Sequence, residues 1–181
     1  MATLKSEYNL QNKSVLIRNA EIEDGENIIE HIKIVDEETI FLAREAGEFQ
    51  TEKEKEQRLI SNWNASKHDL FLVAEIEDEI AGTCELCGNH RKRYVHRADI
   101  AIAIKKKFWG MGIGKHMLEE AIKWGKQNNL KRIELEVDTE NTRAIILYTN
   151  LGFHIEGTIE RERRLADDSY RNSYLMAMLI D

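Results

Sequence analysis

Residues 105–115 read Lys105-Lys106-Lys107-Phe108-Trp109-Gly110-Met111-Gly112-Ile113-Gly114-Lys115, and the meaning of this stretch decides the fold. Glycines at alternate positions allow close backbone approach and unusual dihedrals, so consecutive N–H groups can converge on an anion at the positive end of a following helix. Four lysines and no acid in eleven residues strengthen the anion reading. The plainer alternative is a turn with glycine at a helix start. Two sharper phosphate motifs fail on spacing. A nucleotide P-loop needs glycine where Trp109 stands and a hydroxyl where His116 stands. A dinucleotide fingerprint needs its third glycine at Lys115, although Glu134 or Glu136 lies at a suitable distance for a ribose.

The flanks supply the context. Asp99–Ile104 reads as a strand, Gly112–Asn128 as a helix with Ile113, Met117, Ala121 and Trp124 near one face, and Arg132–Val137 as a strand alternating Ile133, Leu135 and Val137. This is a βαβ unit. Its crossover helix requires parallel strands whose C-terminal ends face one cleft, the usual ligand position in an open α/β sheet. A short helix over Asn141–Asn150 follows, and then two strands around Phe153–Thr158 and Ser173–Ile180.

Upstream, residues 14–19 look like a first strand. Ile28, Ile32 and Val35 mark one helix, and residues 51–66 fit a second, strongly charged one. The period then shortens: DLFLVAEIE, EIAGTCELCG and YVHRADIAIAI read as an antiparallel meander joined by a Glu-Asp-Glu turn and the charged loop NHRKR. Cys84 and Cys87 sit three apart in one of these strands, hence on opposite faces, which suits neither a redox helix nor a zinc site.

A length of 181 residues favours one domain, here residues 1–181. With 26 basic and 33 acidic side chains, a net charge of −7 argues against nucleic acid as a partner. No stretch approaches the roughly 20 apolar residues of a membrane span, and residues 1–13 lack the apolar core of a signal peptide. The expected setting is the cytoplasm, away from membranes.

From Ile104 through Phe153 the chain resembles the GNAT superfamily of N-acetyltransferases. That superfamily has a pyrophosphate loop reading Arg/Gln-x-x-Gly-x-Gly/Ala, matched here by Trp109-Gly110-Met111-Gly112-Ile113-Gly114. Its next helix carries Asn-x-x-Ala-x-x-Leu-Tyr-x-x-x-Gly-Phe, matched by the run from Asn141 through Ala144, Leu147 and Tyr148 to Gly152-Phe153. Trp109 departs from the usual Arg or Gln; main-chain donors can still serve. The closing residues look like the branch acting on amino acids, polyamines or protein N-termini. The resemblance implies an α/β fold: a mixed, mainly antiparallel sheet of about seven strands flanked by helices, with a parallel pair splayed at the cofactor cleft. It also implies acetyl transfer from acetyl-CoA, without a metal, to a small-molecule amine or protein N-terminus, and leaves a homodimer open. A CoA-binding regulatory module of the same fold is the alternative.

The same resemblance assigns expected roles. The pantetheine arm would pair with main chain near Ile102 and Ile104. The pyrophosphate would rest on amides from Trp109, Gly110, Met111, Gly112, Ile113, Gly114 and Lys115, with Asn141 reaching the arm from the other side. Tyr148 would protonate the departing thiolate; its plain alternative is an aromatic on the helix's core face. For the base, Glu136 lies twelve residues before Tyr148, a spacing some superfamily members use, while Glu134 shares its face and both could simply be solvated. Asp99 and Glu85 lie on neighbouring strands, where either could orient an amine, and His96 reads more simply as a strand-end surface residue. An acidic acceptor side and a lysine-rich phosphate side would divide the charges between a cationic amine and the cofactor.

Overall fold

The computed structural model describes residues 4–180; Met1–Thr3 and Asp181, the ends of the expected domain, lie outside the described residues. Eight strands form one sheet: β1 (Lys5–Leu10), β2 (Lys13–Asn19), β3 (Leu70–Ile76), β4 (Glu79–Gly88), β5 (Arg97–Ile104), β6 (Arg132–Asp138), β7 (His154–Arg164) and β8 (Tyr170–Leu179). Their spatial order is β1-β2-β3-β4-β5-β6-β8-β7. Every neighbouring pair is antiparallel except β5 and β6. The helices are α1 (Gly25–Glu38), α2 (Lys53–Ala65), α3 (Ile113–Gln127) and α4 (Thr142–Asn150).

The meander, the βαβ unit and all four helices fall where the sequence placed them. Two details differ. β1 is an additional strand, making eight rather than about seven. It pairs with β2 through a tight turn in which Gln11 and Asn12 both have positive φ, 50° and 64°, as the right-handed twist of a two-residue hairpin favours. Its run KSEYNL buries no residue fully, so it lacked an apolar signal. In addition, β5 begins only at Arg97: residues 94–96 form part of a turn closed by Arg97 N donating to the Tyr94 carbonyl, and His96 is an exposed residue in it.

β3 explains the continuous apolar run Leu70–Ala74, since it is buried on both faces. Phe71 and Val73 join Ile28 and Ile60 under α1 and α2, while Leu70, Leu72 and Ala74 pack with the larger cluster beneath α3 and α4. The expected face of α3 is the buried one, with Ile113, Met117, Ala121 and Trp124 all in that core. Cys84 is buried and Cys87 exposed, both free thiols, as their alternation in β4 requires.

One polar group sits in this core at a cost. His31 of α1 is fully buried; its Nδ1 has no hydrogen-bond partner among the described residues, and its Nε2 lies 3.4 Å from Thr83 Oγ1. Burial, and then the charge of Lys105, push the imidazole pKa down to about 4. An unfolded histidine titrates near 6.5, so between about pH 6.5 and 4 the unfolded chain takes up a proton that the folded chain refuses. Folding stability should therefore fall by ~3 kcal/mol over that window from this residue. Urea denaturation from pH 7 to 4 checks this: His31→Leu should lose visibly less stability than the parent, and parallel curves would contradict it.

Candidate active site

β5 and β6 pair at only three positions, Arg97↔Arg132, Ala98↔Ile133 and Asp99↔Glu134, and then part. Beyond Asp99, the edge of β5 that faces β6 has no strand partner among the described residues. A cleft of about 610 Å³ fills the gap. It is lined from both sides of the sheet: Val35, Phe41 and Leu42 come from the α1 side, and Gly112, Asn141 and Tyr148 from the α3–α4 side.

The glycine loop closes one end. Gly110 and Gly112 adopt φ of 82° and 91°, the left-handed region that glycine alone enters without strain, and Gly112 is the N-cap of α3. No side chain caps that helix, so the first-turn amides of Ile113, Gly114 and Lys115 remain free for a ligand at the positive end of the helix dipole. A Cβ on Gly112 would meet nothing within 4 Å, so the approach to these amides is open. The loop is braced from outside: Gln11 Nε2 donates to the Gly110 carbonyl at 3.2 Å, the Trp109 indole donates to the Ile104 carbonyl at 2.7 Å, and Tyr8 of β1 stacks on His116 in the first turn of α3. The unforeseen strand β1 thus supports the start of α3.

The lysines of this loop are mostly spoken for. Lys105 is buried and bonded to Glu79 at 2.7 Å, and Lys107 shares the same carboxylate at 2.6 Å. At the loop end of the cleft the lining cations are Lys115, which lies 3.7 Å from Glu119, and Arg143, which lies over the Trp109 ring at 5.0 Å. Arg143 occupies a variable position inside the Asn-x-x-Ala pattern, so the pattern itself could not flag it. Met111 is not among the residues that line the cleft and packs against the core. Ile102, Ile104, Trp109, Gly110, Ile113, Gly114 and Asn141 all contribute to the lining. Asn141 also caps α4, its Oδ1 accepting from Ala144 N at 3.2 Å.

Tyr148 satisfies both readings offered for it. Its ring is buried, packed at 5.8 Å against Phe153, and it also lines the cleft. Burial raises its pKa far above the usual range, and its hydroxyl has no hydrogen-bond partner among the described residues. A phenol so placed stays protonated at neutral pH and can donate.

The carboxylates separate sharply. Glu134 is not part of a solvated row: it is buried and held by Arg97 and by Arg132, the latter at 2.7 Å. Burial alone would raise its pKa, but these hydrogen bonds hold it below the ordinary value. Glu136, one pleat further on, has no salt bridge among the described residues. Burial first, and then the nearby charges of Glu162, Asp99 and Glu134, raise its pKa. Asp99 lies outside the main cleft, in an adjoining hollow that it shares with Glu134 and Glu136. Burial and then Glu134 raise its pKa as well. Glu85 lies outside both cavities; burial raises its pKa and that of neighbouring Glu56. Glu162, Arg163 and Asp138 join the lining without having been anticipated, though Asp138 follows Glu136 by the two-residue step that keeps one strand face. Among the described residues no three His, Cys, Asp or Glu side chains converge as a metal would require.

Two motifs in order, a split parallel pair and an uncapped α3 meet at one cleft, and comparison with known proteins gives the family. The chain belongs to the Acetyltransferase (GNAT) family, which it matches over residues 22–153. It is 32% identical over 107 residues to the L-amino acid N-acetyltransferase AaaT of Escherichia coli, covering 59% of this chain and 65% of that protein. It is 35% identical over 109 residues to the spermidine N(1)-acetyltransferase of the same organism, covering 59% and 56%. The matched region thus spans less than two thirds of either relative. A GNAT acetyltransferase from Streptococcus pneumoniae superposes with a TM-score of 0.89 at 32% identity, over 92% of this chain and 99% of that one.

The contrast between the two glutamates is open to measurement. Glu134→Gln leaves Arg97 without its carboxylate and Arg132 with Glu156 alone, and should lower stability by ~1–3 kcal/mol, the scale of charged hydrogen bonds. Glu136→Gln, which breaks no ion pair, should leave the melting temperature within about 2 °C. Thermal denaturation of both variants decides, and equal losses would refute the division.

Proposed function

We propose that this chain transfers an acetyl group from acetyl-CoA to the primary amine of a small cationic or zwitterionic molecule or of a protein N-terminus. One observation carries the reading: a single cleft passes through the β5–β6 gap, with free helix amides and two cations at one end and an unpaired carboxylate at the other. The donor set fits the cosubstrate. Amides at the start of α3, with Lys115 and Arg143, supply what a pyrophosphate needs, and the strand edge from Ala101 to Ile104 offers main-chain partners to an amide-bearing arm. Asn141 would face that arm from α4. Acetyl-CoA supplies the activated acetyl group as a thioester.

The chain's own residues supply the proton traffic. Glu136 is the favoured base, directly or through water, because it is the strand carboxylate that lines the cleft without a cationic partner. Its negative charge, and that of Glu162, also attract a protonated amine. Tyr148, kept protonated by burial, is the favoured donor to the departing sulfur. Asp99, set in the neighbouring hollow, would act on the approach of the amine rather than on the reacting atoms. These roles suit an amine of the amino-acid or polyamine type better than an anionic acceptor.

A thermal-shift assay with acetyl-CoA, CoA and NAD, followed by a thiol-release screen over amines, tests the assignment; no stabilisation by CoA compounds, or no turnover with any amine, would end it. Tyr148→Phe keeps the ring and removes one hydroxyl, so acetyl-CoA affinity and stability should hold while kcat falls by about 10–1000-fold. Full kcat under chemistry-limited conditions would leave Tyr148 a packing residue. A base must be deprotonated to act, so activity should fall as pH drops through the Glu136 pKa, which lies above the ordinary glutamate value. Glu136→Gln should lower kcat and abolish that acidic limb. A variant altered only in acceptor KM would make Glu136 an orienting group.

A further inference from the structure

The segment between α1 and α2 contains no helix or strand over residues 39–52, yet Thr39, Phe41, Leu42 and Ala43 form a wall of the cleft. The wall stands on the side of the sheet away from the glycine loop. Side-chain burial does not hold it firmly, since Ile40 is 56% exposed. Its long-range polar anchor is Arg163 of β7. The two protons of Arg163 Nη1 serve the carbonyls of Ile40 and Leu42, each at 3.0 Å and more than 120 residues away in sequence. Nη2 donates to Asp138, and Nε donates to Glu162 at 3.2 Å.

Asp138 is the fixed point of this assembly. Its carboxylate is fully buried at the end of β6, two residues after Glu136, and it also accepts from Arg171 at 2.7 and 3.0 Å and from the Glu140 amide at 2.9 Å. Burial would raise its pKa, but these partners hold it below the usual range. Glu162 is steadied in turn by Ser173 Oγ at 3.1 Å. A rigid path therefore runs from the strand bearing Glu136, through Asp138 and the planar guanidinium, to the irregular wall.

We propose that Arg163 is a positioning residue that sets the distance between the wall at residues 39–43 and Glu136, and so shapes the site of the acceptor amine. The proposal rests on the acetyl-transfer reading for its catalytic consequence, though the tether itself does not. Geometry gives the fork its specificity: two adjacent carbonyls, a buried carboxylate and a second carboxylate are served at once by one planar group, which a lysine ammonium cannot span. Among the described residues Arg163 makes no hydrogen bond or ion pair with the glycine loop or α3, so the cofactor end should be indifferent to its loss.

Arg171 provides the internal control. Like Arg163 it neutralises Asp138, but it makes no bond to residues 39–43; either arginine leaves the other to compensate the buried charge, so both single variants should fold. Arg163→Ala and Arg171→Ala are to be compared with the parent in steady-state kinetics against both substrates and in limited proteolysis with chymotrypsin. Arg163→Ala should raise acceptor KM by about tenfold or more, leave acetyl-CoA KM within about twofold, and speed cleavage after Phe41, Leu42 or Phe49. Arg171→Ala should do neither. Equal behaviour of the two variants in both assays, or unchanged acceptor KM and cleavage in Arg163→Ala, would overturn the proposal. If the parent turns over no amine, the acetyl-transfer reading fails, and the proteolysis contrast still decides whether Arg163 tethers the wall.

Discussion

The short pairing between β5 and β6 is the constraint on which the rest of the molecule depends. Two parallel strands joined by a crossover helix would ordinarily zip along their length and bury their main-chain groups in each other. Here they share three residue pairs and diverge, so the sheet acquires an opening at the carboxyl ends of both strands. The cleft-lining elements are arranged around that opening. α3 starts at its rim with uncapped amides, α4 sets Asn141 and Tyr148 beside it, and the segment after α1 closes the opposite side.

A second regularity is the way the chain disposes of its charges. It is acidic, yet most carboxylates near the cleft are neutralised by arginine or lysine: Glu134 by Arg97 and Arg132, Asp138 by Arg163 and Arg171, Glu79 by Lys105 and Lys107. Buried charge is expensive unless paired, and these pairs fix the ends of strands and loops rather than act on ligands. Glu136 stands out against that background because nothing cationic holds it. Contrast among neighbours identifies it more sharply than any motif.

Much of this was legible in the sequence, for identifiable reasons. The glycine loop, the α3 face and the alternation in β6 are local, periodic signals, and the two spaced motifs fall on residues that line the cleft. β1 escaped because its residues are half-exposed and its pairing partner imposes the strand. The lysine-rich loop misled in part: spacing counts charges, but only the fold shows that Glu79 reaches across to consume two of them. Glu134 and Glu136 look identical along one strand, and their difference comes from Arg97 and Arg132, one on a neighbouring strand and one two residues away on the same face. The wall at residues 39–43 and its anchor Arg163 lie at least 120 positions apart, and no periodicity connects them.

Because the opening pierces the sheet, its two faces communicate through a hole rather than around an edge. A molecule seated from the α3–α4 side would form part of the floor of the chamber on the α1 side. The shape offered on the second face would then depend on what occupies the first. The buried Cys84 thiol, its pKa driven far up by the apolar surroundings, is a poor candidate for an intermediate carrier. Such an opening brings groups on the two faces of one sheet within reach of each other inside the protein.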